Sequence, residues 1–423
     1  MNHFEAQSGE LYCEEVPLAR IAEAVGTPVY VYSQATLERH FTVFREALRA
    51  HPKLGEPLIA FAVKCNSNIS VLRVLAALGA GADTVSEGEI RRALAAGIPA
   101  SRIVFSGVGK THREITFALT QGVAEINVES EPELDLIAHL AEGLDMAAPV
   151  VFRVNPDVEA GGHAKIATGK AENKFGVSFA EARRLYAKAA AHPHLKPLGV
   201  ACHIGSQITD LAPFEAAFTR MRGLVEDLRA EGFIVERLDL GGGLGVPYFN
   251  QPEPPAPGEY AAMVARVIGG LDIQLAFEPG RVIAANAGVL LAQVMHRHER
   301  PEGRKFLVLD AAMNDLIRPA MYEAFHDIRP VRVTNRAPQP FDVVGPVCET
   351  GDTFTRDREL PPLEPGELVA FMSAGAYGAA MASEYNSRPL VPEVLVFGDR
   401  FAVIRRRPSY EEMLADESRA GWL

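Results

Sequence analysis

The middle of the chain repeats a single unit, a short apolar run followed by a segment with helical spacing. The eight apolar runs, each predicted to be a strand, lie at 58–64, 82–86, 103–106, 125–128, 150–154, 199–203, 237–240 and 274–278. Eight strand–helix units in roughly 250 residues are typical of a (β/α)8 TIM barrel, an α/β fold. A doubly wound open sheet is the main alternative, but that fold usually places its glycine-rich loop after the first strand. Here the glycine triplet Gly241–Gly243 follows the seventh predicted strand.

The rest of the chain has a different pattern. After residue 286, short β-type runs broken by proline and glycine occur at 289–295, 306–310, 331–334, 342–344, 368–372 and 393–397. This pattern predicts a second, mostly β domain, similar to a β-sandwich or β-barrel. A chain of 423 residues is also too long for one ordinary core. We therefore expect a barrel over 28–285, and a β domain formed by 1–27, with a strand at 10–16, together with 286–423.

Composition and charge argue against several kinds of partner. The formal net charge of −12 disfavours binding to nucleic acid or to an anionic membrane. No apolar run approaches the ~18 residues that a membrane-spanning helix needs, and the N-terminus lacks the features of a signal peptide. The four cysteines are scattered and include no CxxC pair, which suggests reduced thiols, a cytoplasmic location and no metal site built from cysteine.

Lys64 closes the first predicted strand, directly after the apolar run 57–63. In a parallel α/β fold the C-terminal ends of the strands meet at one edge, where the functional site lies. A partly desolvated lysine at that edge can lose its proton and attack a carbonyl carbon to form a Schiff base. Alternatively, Lys64 is a strand-end lysine whose amine reaches water.

Polar residues and glycines also follow the other predicted strands. They are Asp83, Ser106, Glu129, Arg153, His203, Ser206, Gly241, Gly242, Gly243, Glu278, Pro279, Gly280 and Arg281. In a barrel these residues would form one site with Lys64. A glycine triplet lets backbone N–H groups approach a phosphate closely, and the loops after strands seven and eight are the usual phosphate position in such barrels. A flexible turn is the alternative for the triplet.

Two of these side chains have a more specific chemical interpretation. The imidazole of His203 can stack on an aromatic ring, or it can be a core histidine with a satisfied hydrogen bond. Glu278 can keep a pyridine nitrogen protonated, which is how proteins strengthen pyridoxal phosphate as an electron sink. Alternatively, Glu278 forms an ion pair with Arg281.

The predicted β domain adds three polar segments, Arg318–Tyr322, 348–352 and 374–378. Cys348 stands next to an acid and a glycine turn, so it is either a proton donor or a buried inert thiol. Tyr377 lies between glycines, where it would be more exposed than a core tyrosine. Arg318 is either functional or a surface cation.

In their order and spacing, these segments resemble the alanine-racemase-like, fold-type III decarboxylases that use pyridoxal phosphate. The resemblance covers nearly the whole chain, and its motifs are 61–66, 81–89, 174–176, 203–207, 241–245, 278–281, 348–352 and Tyr377. Within that family the motifs are most similar to the branch that acts on diaminopimelate. The chain departs from the usual pattern at Thr350, at Glu384 and at His163-Ala164-Lys165, where His-Pro-Tyr is common.

The resemblance implies a cofactor, pyridoxal 5'-phosphate, and a role for each residue. Lys64 would form the Schiff base, His203 would stack on the cofactor ring and Glu278 would face its pyridine nitrogen. Asp83 and Arg153 would be more remote cofactor contacts. The residues implied around the phosphate are Ser206, Gly241, Gly242, Gly243, Arg281 and Tyr377. Pro279 and Gly280 are implied as further cofactor-binding residues. No metal is implied.

The resemblance also implies a reaction, the decarboxylation of meso-2,6-diaminopimelate to L-lysine and carbon dioxide, which is the last step of lysine biosynthesis. This amino-acid substrate carries a carboxylate and an ammonium remote from the reacting carbon. Arginine suits bidentate carboxylate binding. The implied substrate contacts are Arg281, Arg318 and Tyr322 for that carboxylate, and Glu349 for that ammonium. Tyr377 is implied as a further substrate contact.

Cys348 would return a proton to the carbon that loses carbon dioxide. In this family Cys348 and Glu349 come from the partner subunit, so a homodimer with shared active sites is implied. Other decarboxylases of this fold, acting on carboxynorspermidine, ornithine, lysine or a carrier-bound glutamyl group, are close alternatives. A racemase would need a catalytic tyrosine from the second domain. A non-catalytic homologue is disfavoured by the joint presence of Lys64, Glu278, Cys348 and the glycine triplet.

Overall fold

The computed structural model describes residues 2–159, 174–248 and 252–422, and the departure at His163-Ala164-Lys165 lies outside them. The chain forms two compact units. The barrel unit is built from residues within Glu38–Pro247 and Pro252–Ile283. The β unit is built from residues within Met1–Leu37 and Ala284–Leu423, together with Tyr248. No helix in these described ranges is both long enough and apolar enough to cross a membrane.

The N-terminal segment of the β unit begins with a small antiparallel sheet. Its elements are β1 (Phe4–Gln7), β2 (Glu10–Cys13), β3 (Val16–Pro17), helix α1 (Leu18–Val25) and strand β4 (Val29–Ser33). The single strand expected at 10–16 is therefore wrong, because Glu14 adopts a left-handed φ of 53° and turns the chain between β2 and β3. A carboxylate oxygen of Glu14 accepts hydrogen bonds from Ser33 Oγ and Ala35 N, next to the start of the following helix.

Eight parallel strands in the described part of the chain form a closed barrel. They are β5 (Leu58–Ala62), β6 (Gly81–Thr84), β7 (Ile103–Phe105), β8 (Glu125–Val128), β9 (Ala148–Arg153), β10 (Leu195–Ala201), β11 (Arg237–Asp239) and β12 (Gln274–Phe277). Strand β12 pairs with β5, with Ala276 opposite Leu58, and this pairing closes the barrel. The predicted (β/α)8 barrel is confirmed, and the open doubly wound sheet is excluded.

One helix precedes the first barrel strand, and a helix follows each of the eight strands. These helices are α2 (Gln34–Arg49), α3 (Ile69–Ala77), α4 (Glu87–Ala95), α5 (His112–Gln121), α6 (Glu131–Gly143), α7 (Phe179–Ala190), α8 (Ala212–Ala230), α9 (Pro257–Ile268) and α10 (Arg281–Ala284). One local signal starts several of them: Ser86, Ser130 and Ser178 each accept a hydrogen bond from the backbone N–H of a glutamate three residues later. Such a cap contributes ~1 kcal/mol and fixes where the loop ends and the helix begins.

The C-terminal part of the chain is mostly β, as predicted. Its elements are β13 (Gly288–Glu299), β14 (Lys305–Leu309), α11 (Arg318–Tyr322), β15 (Ile328–Pro330), β16 (Gln339–Val344), β17 (Thr353–Leu360), β18 (Leu368–Phe371), β19 (Glu393–Phe397), β20 (Arg400–Arg405) and α12 (Tyr410–Ala415). The strand predicted at 331–334 is wrong, since the pairing with β18 is made by β15 instead.

The strands of the β unit form a sheet that includes β4 from the N-terminal segment. Among the described residues this sheet has nine strands, in the order β17-β16-β14-β13-β4-β19-β20, with β18 paired to β13 and β15. Strand β4 lies between β13 and β19, and all five of its residues are buried. Val29 and Val31 of β4 pack with Val289 in the core of this unit.

Candidate active site

Lys64 lies at the C-terminal end of the first barrel strand, inside the 3₁₀ turn Val63–Cys65 that follows β5. Its ammonium Nζ is 2.6 Å from Oδ2 of Asp83, which is fully buried on β6. About a third of the Lys64 side chain, 35%, is exposed. This short charge-assisted hydrogen bond, donated to a buried carboxylate, fixes the amine at the strand end, where a reactant can reach it.

His203, after β10, is half-buried and carries a neutral imidazole. Desolvation, followed by repulsion from Lys64 and Arg153, lowers the pKa of His203 well below its usual value. The backbone N–H of Gly242 donates to its Nδ1 over 3.1 Å. Because Nδ1 accepts this bond, the single ring proton is on Nε2. The ring is held in one orientation and carries no charge, which suits stacking on a heteroaromatic cofactor.

Glu278, just after β12, is a buried carboxyl group whose surroundings favour its protonated form. Burial, followed by the negative charges of Asp239 and Asp83, raises the pKa of Glu278 well above its usual value. A buried carboxylic acid next to a basic ring nitrogen can give that nitrogen its proton and then stabilise the resulting charge.

Asp239, the last residue of β11, lies close to Glu278. Its Oδ1 accepts the Gly241 N–H over 2.7 Å. Its buried Oδ2 has no hydrogen-bond partner among the described residues, and a proton shared with the Glu278 carboxyl would satisfy it. Burial and the nearby Glu125 raise the pKa of Asp239 to about 7.

The glycine triplet fits tightly against neighbouring backbone. A Cβ on Gly241 would lie 2.4 Å from the carbonyl oxygen of Cys202, and one on Gly242 would lie 2.2 Å from that of Glu278. A Cβ on Gly243 would lie 2.5 Å from the carbonyl oxygen of Gly205. No side chain is tolerated at these contacts, so the loop presents bare backbone at the end of β11, as a phosphate cradle requires.

Ser206 and Arg281 are brought together beside this loop. The Arg281 guanidinium, which is buried, donates to Ser206 Oγ from Nη2 over 3.1 Å and from Nε over 3.3 Å. Pro279 and Gly280 lead into α10, and Gly280 packs on Ala62 of β5, where a Cβ would lie 3.0 Å from the Ala62 Cβ. A hydroxyl and a guanidinium beside this loop offer donors that suit a phosphate group.

Arg153 completes the rim of the barrel at the end of β9. Its Nη1 is 3.0 Å from Oε1 of Glu129, and its guanidinium lies 4.7 Å from the ring centroid of Phe175. The pKa values of His203 and Glu278 both respond to the charge of Arg153. The barrel unit therefore gathers Lys64, Asp83, Arg153, His203, Ser206, the glycine triplet, Glu278 and Arg281 at the C-terminal ends of its strands.

In the β unit, Arg318 is not a surface cation, because it is the first residue of α11 and only 6% exposed. Tyr322 lies one helical turn later and is half-buried. Tyr377 is also half-buried and has a left-handed φ of 57°. This backbone follows Gly375, which packs so closely that a Cβ would lie 2.1 Å from the carbonyl oxygen of Ala284.

Cys348 is a free, exposed thiol, so the alternative of a buried inert cysteine is wrong. Its backbone N–H donates to Asn386 Oδ1 over 3.0 Å. Asp352 holds the ends of this loop by accepting the N–H groups of Met313 and Val347, each over 2.7 Å. Glu349 is exposed beside the thiol. The loop therefore offers a thiol and a carboxylate to solvent on a fixed backbone.

Sequence reasoning missed two residues that the structure connects to the predicted ones. Asp239 precedes the glycine triplet by two positions, and an acid at that place on a strand end was the available signal. His326 follows Arg318 by eight residues and hydrogen-bonds to it. No spacing rule selects His326, because it lies beyond the end of α11.

The chain matches known proteins over nearly its whole length. Residues 35–285 match the family described as pyridoxal-dependent decarboxylase, pyridoxal binding domain. Diaminopimelate decarboxylase of Zymomonas mobilis is 51% identical over 421 residues, which is 99% of each chain. The Pseudomonas aeruginosa protein of the same name is 49% identical, again over 99% of each chain. The solved structure of diaminopimelate decarboxylase from M. jannaschii in co-complex with L-lysine is 36% identical, covers 100% of both chains and superposes with a TM-score of 0.95.

Both the family match and the full-length identities exceed what a shared fold alone would give. The chain belongs to the diaminopimelate decarboxylases, a branch of the pyridoxal-dependent decarboxylase family.

Proposed function

We propose that the protein decarboxylates meso-2,6-diaminopimelate to L-lysine and carbon dioxide, the last step of lysine biosynthesis. The observation that carries this proposal is the 51% identity, over 99% of both chains, with the diaminopimelate decarboxylase of Zymomonas mobilis. The barrel residues supply independent chemical support, because a lysine, a neutral imidazole and a buried carboxyl group converge at the strand ends.

These residues fit pyridoxal 5'-phosphate. When bound, this cofactor draws off the electron pair left on carbon as carbon dioxide departs. Lys64 would bind the cofactor aldehyde, and Asp83 holds the Lys64 amine in place. Glu278 would face the pyridine nitrogen, and His203 would stack on the ring. Ser206, the glycine triplet, Arg281 and Tyr377 would hold the phosphate, with Pro279, Gly280 and Arg153 as further contacts.

Substrate recognition uses charge at the end remote from the reacting carbon. Arg281, Arg318, Tyr322 and Tyr377 bind the remote carboxylate, and Glu349 binds the remote ammonium. Arginine forks match carboxylate oxygens in pairs, so they discriminate strongly against an amino acid without that group. Cys348 donates the proton that replaces carbon dioxide, as its exposed thiol on a fixed loop permits.

We infer further that the protein works as a homodimer in the cytoplasm. Cys348 and Glu349 are exposed on their own chain, so they are accessible to a second copy, which is the arrangement that the family resemblance implies. A cytoplasmic location is supported by the four cysteines, Cys13, Cys65, Cys202 and Cys348, which are all free thiols.

Replacing Lys64 tests this function directly. Purified protein with pyridoxal phosphate should form L-lysine from meso-diaminopimelate, and Lys64→Ala should lose both covalent cofactor binding and L-lysine formation. The matched control is Lys196→Ala, which removes an exposed lysine 3.7 Å from Glu236 and should leave both unchanged. Visible absorbance of the bound cofactor and chromatography of the products are the two measurements. A Lys64→Ala protein that still formed L-lysine at the wild-type rate would contradict the mechanism.

A further inference from the structure

Arg318 is held by a buried histidine, His326. The guanidinium Nη1 of Arg318 lies 2.8 Å from Nε2 of His326, and both side chains are buried. The Arg318 guanidinium carbon also lies 5.3 Å from the ring centroid of Tyr248. The hydrogen bond to His326 fixes one N–H group of the guanidinium, and the Tyr248 ring attracts its positive charge. Together the two contacts restrict the orientation of the guanidinium.

Hydrogen-bond partners assign the tautomer of His326. Its Nδ1 lies 2.9 Å from the carbonyl oxygen of Met372, which can only accept, so Nδ1 carries the proton. The guanidinium of Arg318 can only donate, so Nε2 presents its lone pair. His326 is therefore a neutral imidazole that links Arg318 to the backbone just after β18.

The ring of Tyr248 packs against both partners. It meets the His326 ring edge to face, with centroids 6.1 Å apart and planes at 83°. Tyr248 and His326 are both buried, at 6% and 4% exposure. Neither group can swing away without opening a packed core, so the position of Arg318 is set before any ligand arrives.

A neutral acceptor has a consequence that an acid would not have. An aspartate or glutamate at this position would form an ion pair with Arg318 and compete with any incoming carboxylate. An imidazole uses one of the five guanidinium N–H groups and leaves the positive charge in place. The His326 contact thus fixes the direction of Arg318 while preserving its attraction for an anion.

We propose that His326 is a positioning residue that aims the Arg318 guanidinium at the substrate carboxylate remote from the reacting carbon, and so sets the preference for ligands that carry this group. The inference rests on the proposed function, which supplies the role of Arg318. His326 touches neither substrate nor cofactor in this account and acts only through Arg318.

Two ligands and two substitutions separate this role from a structural one. L-lysine retains the remote carboxylate of diaminopimelate, whereas 1,5-diaminopentane lacks it and is otherwise the same. His326→Asn places an amide N–H where Nδ1 stands, so it keeps the bond to Met372 but does not reach Arg318. His326→Gln places an amide oxygen near Nε2, so it keeps an acceptor for Arg318.

Inhibition constants for both ligands are measured on the cofactor-loaded enzyme. We expect His326→Asn to weaken L-lysine binding about 5- to 50-fold, and to raise KM for diaminopimelate similarly with a smaller change in kcat. Binding of 1,5-diaminopentane should change less than about twofold, since it makes no contact with Arg318. His326→Gln should recover most of the L-lysine affinity.

The inference is overturned if His326→Asn weakens both ligands equally or neither, or if His326→Gln behaves like His326→Asn. If His326→Asn does not fold, the test is made with His326→Gln alone. The inference then requires that His326→Gln still binds L-lysine in preference to 1,5-diaminopentane. Failure of the proposed function is a separate result, namely wild-type enzyme that forms no L-lysine from diaminopimelate.

Discussion

The carboxyl groups of Asp239 and Glu278 show how single residues obtain their chemistry from burial. Each would be ionised at neutral pH on the surface of a protein. Inside the barrel, desolvation raises both pKa values. The charge of Glu125 raises the pKa of Asp239 further, and the charge of Asp239 raises that of Glu278, so the protonated forms are favoured. A group with a proton to give is therefore ready at the position that we propose for the pyridine nitrogen.

Asp239→Asn should change the pH dependence of stability in the cofactor-free protein. The aspartate titrates near 3.8 when unfolded but at about 7 when folded, so the folded state binds the extra proton. The stability that it contributes is full below its unfolded pKa and is lost as pH rises through its folded pKa. Asparagine keeps the acceptor for Gly241 and does not ionise, so the variant should be more stable than wild type by on the order of 2 kcal/mol at about pH 8 and nearly equal at low pH.

Urea denaturation across that pH range measures this difference. The control is Asp227→Asn, which changes a carboxylate that is 60% exposed and 3.5 Å from Arg183, and which should show little pH-dependent difference. An Asp239→Asn protein whose stability difference from wild type is the same at every pH would argue against a shared proton at this pair.

At the residue scale, the sequence predicted the groups that stand at strand ends. Lys64, His203 and Glu278 were found because each follows an apolar run, and the barrel then brings such positions together. Asp239 was missed because the charges that raise its pKa, Glu125 and Asp83, lie on other strands that are distant in the sequence. His326 was missed because its hydrogen bond to Arg318 forms only when the loop after α11 folds.

Among the elements, strand and helix positions were more predictable than strand ends and edges. The run 58–64 was predicted as strand, but β5 stops at Ala62 and Lys64 enters a 3₁₀ turn. Strands β17 and β20 were not predicted, because they lie at the two ends of the sheet order and carry many polar residues. A continuous apolar run indicates a strand that is buried on both faces. Strands at the end of a sheet are not buried in this way, so they carry no such run.

A pair of glycine substitutions tests the close packing of the phosphate loop. Gly242→Ala would place a Cβ 2.2 Å from the Glu278 carbonyl oxygen, so the loop must shift. We expect a loss of about 1–3 kcal/mol in stability and cofactor affinity lowered by about tenfold or more. Gly223→Ala is the matched control, since it lies within α8 with nothing within 4 Å, and alanine should stabilise that helix by about 1 kcal/mol. Cofactor titration of both variants is the measurement, and unchanged affinity in Gly242→Ala would contradict the role of this loop.

At the scale of the whole molecule, local patterns predicted which units form but not how distant segments pair. The eightfold repeat gave the barrel its strand number, because each unit carries its own apolar run. The place of β4 in the C-terminal sheet was not predictable, since its pairing with β13 and β19 joins segments more than 250 residues apart. Such contacts depend on which buried faces match after collapse, and no sequence window contains both partners.

The proposed shared active sites predict complementation between two inactive variants. Lys64→Ala and Cys348→Ala should each be strongly impaired as pure dimers. After subunit exchange, half of the dimers are mixed, and each mixed dimer has one intact site if Lys64 and Cys348 act across subunits. Activity should then recover to about a quarter of the wild-type value. Mixtures that remain as inactive as their components, with exchange verified by mass spectrometry, would place both residues in sites built from one chain.

The most direct test of the central claim compares substrates that differ in the remote carboxylate. Carbon dioxide release is measured with pyridoxal phosphate and, separately, meso-diaminopimelate, L-ornithine, L-lysine and carboxynorspermidine. We predict turnover of meso-diaminopimelate alone. Preference for a substrate without the remote carboxylate would leave the fold and the cofactor residues in place, but it would contradict the roles proposed for Arg318 and Glu349.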